Sequence, residues 1–242
     1  MTVGDCLEVL RSLEAGSVDL VVTSPPYNIG KPYEPRRSVE QYVAWCAEWL
    51  AEVARVVAPD GSAWLNVGYL DHGAAGRCVP IGFLLWPHLR PLHLVQQVVW
   101  AQPNGPAARR RLSPRHETLL WLVRDPDVKY PRSTRHGRPR TNPLGKNPTD
   151  VWQLRRVGAG RASAERTAHP AQMPLQLATR IVAACSRPGD VVLDPFCGSG
   201  TTLLAAAQLG RDSVGVELRA DYAEIAIARL DGVARVERAA AA

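Results

Sequence analysis

Apolar positions along this chain fall into two kinds of pattern, short dense runs and longer stretches with helical spacing. Val18–Thr23, Ala63–Val67, Val191–Leu193 and Ser213–Glu217 are dense runs with few polar residues. A half-exposed strand alternates apolar with polar, so dense runs predict strands covered on both faces. Helical segments lie between them. Ser38 and Gln41 have capping-box spacing, and the following helix puts Tyr42, Trp45, Trp49, Val53 and Val56 on one face, which marks them as core. Pro59-Asp60-Gly61 is expected to end that helix. Pro174–Ser186, Thr201 to Gly210, and Asp221–Leu230 are predicted as further helices, with a frayed alanine-rich tail after the last. A short strand at Met1–Val3, brief helices at Leu7–Leu13 and Ile81–Trp86, and a strand pair, Leu94–Gln102 with Thr118–Arg124, complete an α/β chain.

At 242 residues the chain can bury a full core as one α/β domain with an embedded smaller region. Apolar periodicity nearly vanishes from Asp125 to Arg166, interrupted by Val151-Trp152-Gln153-Leu154. Charge is uneven in the same place. Residues 109–166 carry 15 Lys/Arg against 5 Asp/Glu, whereas the remainder carries 14 against 18. A basic block on an acidic body suggests a polyanion partner, with a solvated loop as the bland alternative. The five cysteines form no C-x-x-C pair and the six histidines no ligand spacing, which predicts free thiols in a reducing cytoplasm and no metal site. No signal peptide is expected, and no apolar run reaches the roughly 18–20 residues of a membrane helix.

Candidate chemistry concentrates in two places. In the first, the strand Val191–Leu193 runs into Asp194-Pro195-Phe196-Cys197-Gly198-Ser199-Gly200-Thr201, which opens a helix. Strand, glycine loop and helix N-terminus make a nucleotide-binding turn, in which glycine lets a ligand approach the backbone. Glu217 ends the next strand, 23 residues after Asp194, and a carboxylate there can accept both ribose hydroxyls. Alone, the loop also suits a plain doubly wound fold or a phosphate binder, although no Walker lysine accompanies it. The second place is Ser24-Pro25-Pro26-Tyr27, at the end of the Val18–Thr23 strand. Two prolines fix φ, remove two N–H groups and hold the preceding residues extended. Such a turn presents carbonyl oxygens beside a hydroxyl and a ring, which suits the exocyclic amino group of a base. Ser24 Oγ and the Pro25 carbonyl can accept from that –NH2, and Tyr27 can stack on the base.

Together these motifs resemble the amino-group DNA methyltransferases, which move a methyl from S-adenosylmethionine to adenine N6 or cytosine N4. Ser24–Tyr27 matches the family's catalytic signature, and Asp194–Thr202 its cofactor loop. Gly4-Asp5-Cys6 and His169-Pro170-Ala171-Gln172-Met173-Pro174 also match, the latter with Ala171 and Met173 in place of the family's usual threonine and lysine. The resemblance covers nearly the whole chain outside residues 125–166. The catalytic motif precedes the cofactor motif, as in the circularly permuted β arrangement. It implies a Rossmann-like S-adenosylmethionine-dependent methyltransferase fold with a seven-stranded, mostly parallel sheet, the strands before Ser24 and Asp194 side by side.

The resemblance also implies roles. Asp194, Pro195, Phe196, Gly198, Ser199, Gly200 and Thr201 would hold the methionine end of the cofactor, and Glu217 its ribose. Asp5 with Cys6 would lie beside the adenine, while His169 and Pro170 close the far side. Transfer is direct, so Cys197 is a loop filler and not a nucleophile. Double-stranded DNA is the implied partner, with the target base flipped out of the stack. The basic region supplies Arg109, Arg110, Arg111, Arg132, Arg135, Arg138 and Arg140 as candidate DNA contacts. A homodimer and a cognate restriction endonuclease are further partners the family allows.

Two other classes compete with this reading. A binding module without catalysis would show a degraded Pro-Pro-Tyr or glycine loop, and both are intact. Enzymes methylating RNA or protein glutamine usually carry asparagine before the prolines and place the cofactor motif first. The target atom is not decided by physical chemistry, since cytosine N4 and adenine N6 both sit beside a ring-nitrogen acceptor. Family members with serine before Pro-Pro-Tyr mostly modify cytosine N4, while a following asparagine, here Asn28, is frequent among adenine enzymes. The resemblance therefore implies cytosine N4, with adenine N6 as the alternative.

Overall fold

A computed structural model describes residues 1–71, 78–105, 107–109, 112–127, 149–158 and 164–240. The first half runs β1 (Thr2–Val3), α1 (Cys6–Ser12), β2 (Val18–Thr23), α2 (Val39–Val56), β3 (Val57–Val67), β4 (Tyr69–Asp71), β5 (Cys78–Pro80) and α3 (Ile81–Leu85). The second half runs β6 (His93–Ala101), β7 (His116–Val123), β8 (Val151–Gln153), α4 (Leu175–Cys185), β9 (Val191–Asp194), α5 (Thr201–Gln208), β10 (Asp212–Glu217) and α6 (Ala220–Ala240). One sheet has the order β1-β10-β9-β2-β3-β7-β6-β8, and β4 pairs with β5 separately. Within the main sheet β7 runs antiparallel to both neighbours, and the other pairings are parallel.

The dense runs are strands because both sheet faces are covered. Val18 and Val21 of β2 point into a core with Cys46, Trp49 and Val53 of α2. Leu20 and Val22 point the other way, into a second core with Leu177 and Ile181 of α4 and Ala205 of α5. β9 divides likewise, Leu193 to the first core and Val192 to the second. From Leu20 onward the side chains of β2 alternate between two apolar faces, whereas Val18 lies on the far side of a register shift that separates it from Leu20.

The sheet holds eight strands, one more than the family resemblance implies. The addition is β8, a parallel edge strand beside β6 with Trp100 opposite Trp152. Trp152 is buried against Trp64 at a ring separation of 5.8 Å, and its indole N–H donates to the Thr149 carbonyl at 2.8 Å. Residues 109–166 thus contribute β7 and β8 to the sheet. Pro59-Asp60-Gly61 does not terminate α2, which ends at Val56 with β3 following at once. The tripeptide lies in an irregular stretch of β3, where the register against β2 jumps from Val18↔Val57 to Leu20↔Ser62. A Cβ at Gly61 would stand 2.8 Å from the Asp19 carbonyl oxygen, so only glycine fits there. The last helix runs ten residues past Leu230, to Ala240. Gly232 costs such a helix about 1 kcal/mol, too little to stop a run rich in alanine, arginine and glutamate.

Strand order reverses between β9 and β2. From β9 the chain crosses by α5 to β10 on one side, and from β2 by α2 to β3 on the other. An open α/β sheet has its binding crevice outside the carboxyl ends of the strands at such a reversal. Thr23 and Asp194 end those two strands, and the Thr23 hydroxyl donates to the Asp194 carboxylate at 2.6 Å. No helix among the described residues is long and apolar enough to cross a membrane.

Candidate active site

A cavity of about 340 Å³ opens at this reversal. Both motifs line it: Ser24–Tyr27 on one side, Asp194–Ser199, Thr201 and Glu217 on the other. Asp5, Cys6, His169 and Pro170 line it too, so every candidate cofactor residue but Gly200 faces this space. The structure places Gly200 beneath the loop, where a Cβ would meet that of Ala226 in α6 at 2.7 Å. Arg109 is exposed and outside the lining, while Arg110, Arg111, Arg132, Arg135, Arg138 and Arg140 lie outside the described residues.

The glycine loop is held mainly by its own protein. Gly198 and Gly200 take φ of +50° and +73°, a region that costs other residues energy. A Cβ at Gly198 would stand 2.9 Å from His169 Nε2, so the first demand on this glycine is the imidazole beside it. Glu217 accepts from the N–H groups of Gly198 and Arg219, both at 2.9 Å, with the Leu218 N–H as a further donor, and acceptor capacity remains on the carboxylate. From α6, Arg229 Nη1 donates to the Ser199 carbonyl at 2.6 Å and to Thr201 Oγ1 at 3.0 Å. No motif in the sequence marks that arginine.

Asp194 is buried, and burial pushes its carboxyl up to about 6, against hydrogen bonds from Thr23, Thr202 and the Phe196 N–H that pull it down. Glu217 is raised for the same first reason, loss of water. No guanidinium or ammonium pairs with Asp194 among the described residues. Burial lowers His169 to about 4, leaving a neutral imidazole between Tyr33, stacked at 5.8 Å, and Tyr222 at 4.5 Å. Cys197 is buried and its thiol driven up by loss of water and by Asp194 and Glu217, the wrong setting for a thiolate.

On the opposite wall Tyr42 donates its hydroxyl to the Pro26 carbonyl at 2.9 Å, fixing the turn from behind. Asn28 sits at φ 58°, and its amide exchanges hydrogen bonds with the Arg37 backbone at 2.9 and 2.8 Å. Glu34 accepts from the N–H groups of Asn28, Ile29 and Lys31, so residues 28–37 form a braced loop with Tyr33 near its tip. Trp45 packs against the first core as expected but stands at its edge, with Tyr42 and Trp49 as ring neighbours. It is half-buried in the cavity wall, with the Arg37 guanidinium 4.7 Å over its ring and Phe196 at 5.6 Å. Met173, where the family's lysine would stand, packs against the second core, and Gln172 braces its own loop by accepting from Thr167.

Sequence patterns do not disclose a polar cluster behind Ser24. Tyr27 Oη lies 3.2 Å from Ser24 Oγ and 3.0 Å from Glu117 Oε2. Asn66 Nδ2 donates to Glu117 Oε2 at 2.7 Å, and Gln102 Nε2 donates to Glu117 Oε1 at 3.1 Å. Asn66 and Glu117 both line the cavity.

A glycine loop at a sheet reversal faces an acceptor-rich Ser-Pro-Pro-Tyr turn across one cavity, the arrangement implied by the resemblance to S-adenosylmethionine-dependent methyltransferases of exocyclic amines. The family model for N6/N4 DNA methylases matches residues 18–228, and the chain belongs to that family. Among its relatives is the type II methyltransferase M.ScaI of Streptomyces caespitosus, 49% identical over 247 residues, or 96% of this chain and 81% of that one. A Thermus thermophilus protein, a putative DNA modification methylase solved with S-adenosyl-L-methionine, superimposes at TM-score 0.71 with 30% identity, over 96% of this chain and 94% of that one. The PvuII DNA methyltransferase shares the fold at TM-score 0.77 and 22% identity, over 98% and 90% of the two chains.

The residues present fit that cofactor. A buried carboxylate without a cation, Asp194, and a second with spare lone pairs, Glu217, face a cavity of adequate size. S-adenosylmethionine carries a cationic sulfonium and ammonium, and two ribose hydroxyls.

Proposed function

We propose that this chain is a site-specific DNA methyltransferase acting on the exocyclic N4 of cytosine in duplex DNA. The observation that carries the reading is a serine hydroxyl, not a carboxylate, heading the Pro-Pro-Tyr turn in the wall of the cofactor cavity. Bound S-adenosylmethionine supplies an electrophilic methyl on a cationic sulfur. The protein must hold the amine against it with the nitrogen lone pair pointed outward. Ser24 Oγ and the Pro25 carbonyl accept the two amine protons, which draws the lone pair out of conjugation with the ring. Asp194 receives the ammonium of the methionine moiety, Glu217 the ribose, and the His169–Pro170 wall closes the far side. Asp5, the N-cap of α1 through its 2.8 Å bond from the Leu7 N–H, lies in the wall assigned to the adenine.

The base reaches this cavity only when flipped from the duplex, at a few kcal/mol of lost stacking. Arg156 lines the cavity, and its guanidinium and that of Arg115 converge on Gly105, suitably placed for phosphates flanking a flipped nucleotide. Residues 109–166, including the seven candidate arginines, are assigned to the DNA. The PvuII enzyme is named cytosine-N4-specific, but it shares only the fold, so the base assignment rests on Ser24. Asn28, whose type favours adenine enzymes, spends its side chain on the Arg37 backbone, which accounts for it without a base. We assign the enzyme to the cytoplasm and to a modification role beside a cognate endonuclease, as a type II methyltransferase. Digestion of a methylated DNA library to nucleosides tests the reading by mass spectrometry. N4-methylcytosine is expected; N6-methyladenine would move the target base, and neither product would overturn the function.

A further inference from the structure

Among amides that cannot pass a proton onward, the cluster behind Ser24 contains a connected line of groups that can. Ser24 Oγ and Tyr27 Oη are 3.2 Å apart, and Tyr27 Oη is 3.0 Å from Glu117 Oε2. Tyr27 has one proton and three groups that can accept it, Glu117, the Asn66 carbonyl at 3.1 Å and Ser24 Oγ. Only the carboxylate can keep that proton. Glu117 is oriented for this by Asn66 Nδ2 at 2.7 Å on one oxygen and Gln102 Nε2 at 3.1 Å on the other. Its position is fixed by the sheet: β7 carries Glu117 beside Asn66 of β3, with Thr118 opposite Val67 in the antiparallel register. Burial and the neighbouring Glu117 keep the Tyr27 phenol well above its usual range, so it remains a hydroxyl able to accept and donate at once.

We infer that Ser24, Tyr27 and Glu117 form a proton relay that carries the proton released by the target amine away from the reacting nitrogen. The inference rests on Ser24 receiving the amine, and holds for cytosine N4 or adenine N6 alike. As the nitrogen lone pair forms the bond to the methyl carbon, the carbon–sulfur electron pair returns to sulfur. The amine N–H proton passes to Ser24 Oγ, the Ser24 proton to Tyr27 Oη, and the Tyr27 proton to Glu117 Oε2. One methyl is gained, one proton is lost to a carboxylate, and no other reactant is required. Glu117 acts through two hydroxyls, so it is a positioning residue and the terminal acceptor. The carboxylate that an aspartate would bring to the head of the turn is here two hydroxyls away. Tyr27 gains a role that phenylalanine could not fill, although both have a ring to stack.

Single-turnover methylation by Glu117→Gln, Tyr27→Phe and the double variant tests the relay, with the nucleoside product identified in each case. General acid–base assistance is worth roughly 10²–10⁴-fold. Each single variant is expected to slow transfer about a hundredfold, with cofactor and DNA dissociation constants unchanged. The double variant should be no slower than the singles, because either change breaks the same line. Tyr27→Phe keeps the packing of the ring, so it remains informative if Glu117→Gln folds poorly. Wild-type rates in Tyr27→Phe, or rate losses that multiply in the double variant, would overturn the relay. An unexpected methylated base from the wild-type enzyme would revise only the target and leave the relay standing.

Discussion

Asp194 is the residue whose environment makes the sharpest demand. Its folded carboxyl sits near 6 because burial removes water, above the 3.8 it would have in a free chain. The ionised form is what a cationic ligand needs, so binding must expel a proton whenever the pH is below that value. Affinity for S-adenosylmethionine, measured by calorimetry from pH 5 to 8, is expected to be flat above about 6 and to fall roughly tenfold per unit below it. A flat profile throughout would remove Asp194 from the cofactor site. The same shift has a sign for stability. A carboxyl raised on folding favours the native state below its unfolded value, and that advantage is lost as pH rises through the folded one. At pH 8 the free enzyme therefore bears the cost of an ionised buried group, of order 3 kcal/mol for a shift of about two units. Asp194→Asn should raise the melting temperature of the free enzyme at pH 8 while abolishing cofactor binding. A lower melting temperature would show that hydrogen bonds specific to the carboxylate outweigh its desolvation.

Among the elements, the glycine loop shows why two glycines of one motif are not equivalent. An alanine at 200 meets α6 at Ala226 Cβ and Cα, so a whole helix must shift, and φ of +73° is strained besides. An alanine at 198 meets the imidazole of His169, a side chain that can rotate away. Gly200→Ala should cost about 2–4 kcal/mol, the sum of overpacking and left-handed strain, and appear as a melting temperature several degrees lower. Gly198→Ala should cost less stability but displace the cavity wall, weakening cofactor binding at least tenfold. Equal affinity in Gly198→Ala and the native enzyme would exclude that wall from the site. Such asymmetry cannot be read from a motif, because Ala226 and His169 are brought in by elements distant in sequence. What a motif does carry is local: the strand into Asp194, the turn after Thr23 and the capping box at Ser38 all fold as their own residues dictate. Glu117, Asn66 and Arg229 are ordinary polar residues until strand pairing and helix docking give them neighbours. Trp45 fits the same rule from the other side, since helical periodicity finds the apolar face of α2 but not where that face passes from core to cavity wall. β8 is too short to have a period at all.

Across the molecule, the fold brings Arg115 and Arg156, which flank β7 and β8 in the chain, together at Gly105, where Arg156 lines the cavity. The strand reversal opens the cavity, and beyond β2 the sheet continues through β3, β7 and β6 to β8 at its edge. With 15 Lys/Arg against 5 Asp/Glu in residues 109–166, and a net negative remainder, the attraction for a polyanion is concentrated and not diffuse. A phosphate contact displaces condensed counterions, so each one lost should reduce the salt slope of log K by about 0.9 on duplex DNA. Replacing Arg109, Arg110 and Arg111 together by alanine is thus expected to flatten that slope by up to about three. It should weaken duplex binding most at low salt and leave the S-adenosylmethionine dissociation constant unchanged, because Arg109 is exposed and lies outside the cavity lining. Fluorescence anisotropy with a labelled duplex at several salt concentrations reads both quantities. An unaltered slope in the triple variant would mean that these arginines face solvent in the complex, and the phosphates would then have to be sought at Arg115 and Arg156, beside the cavity mouth.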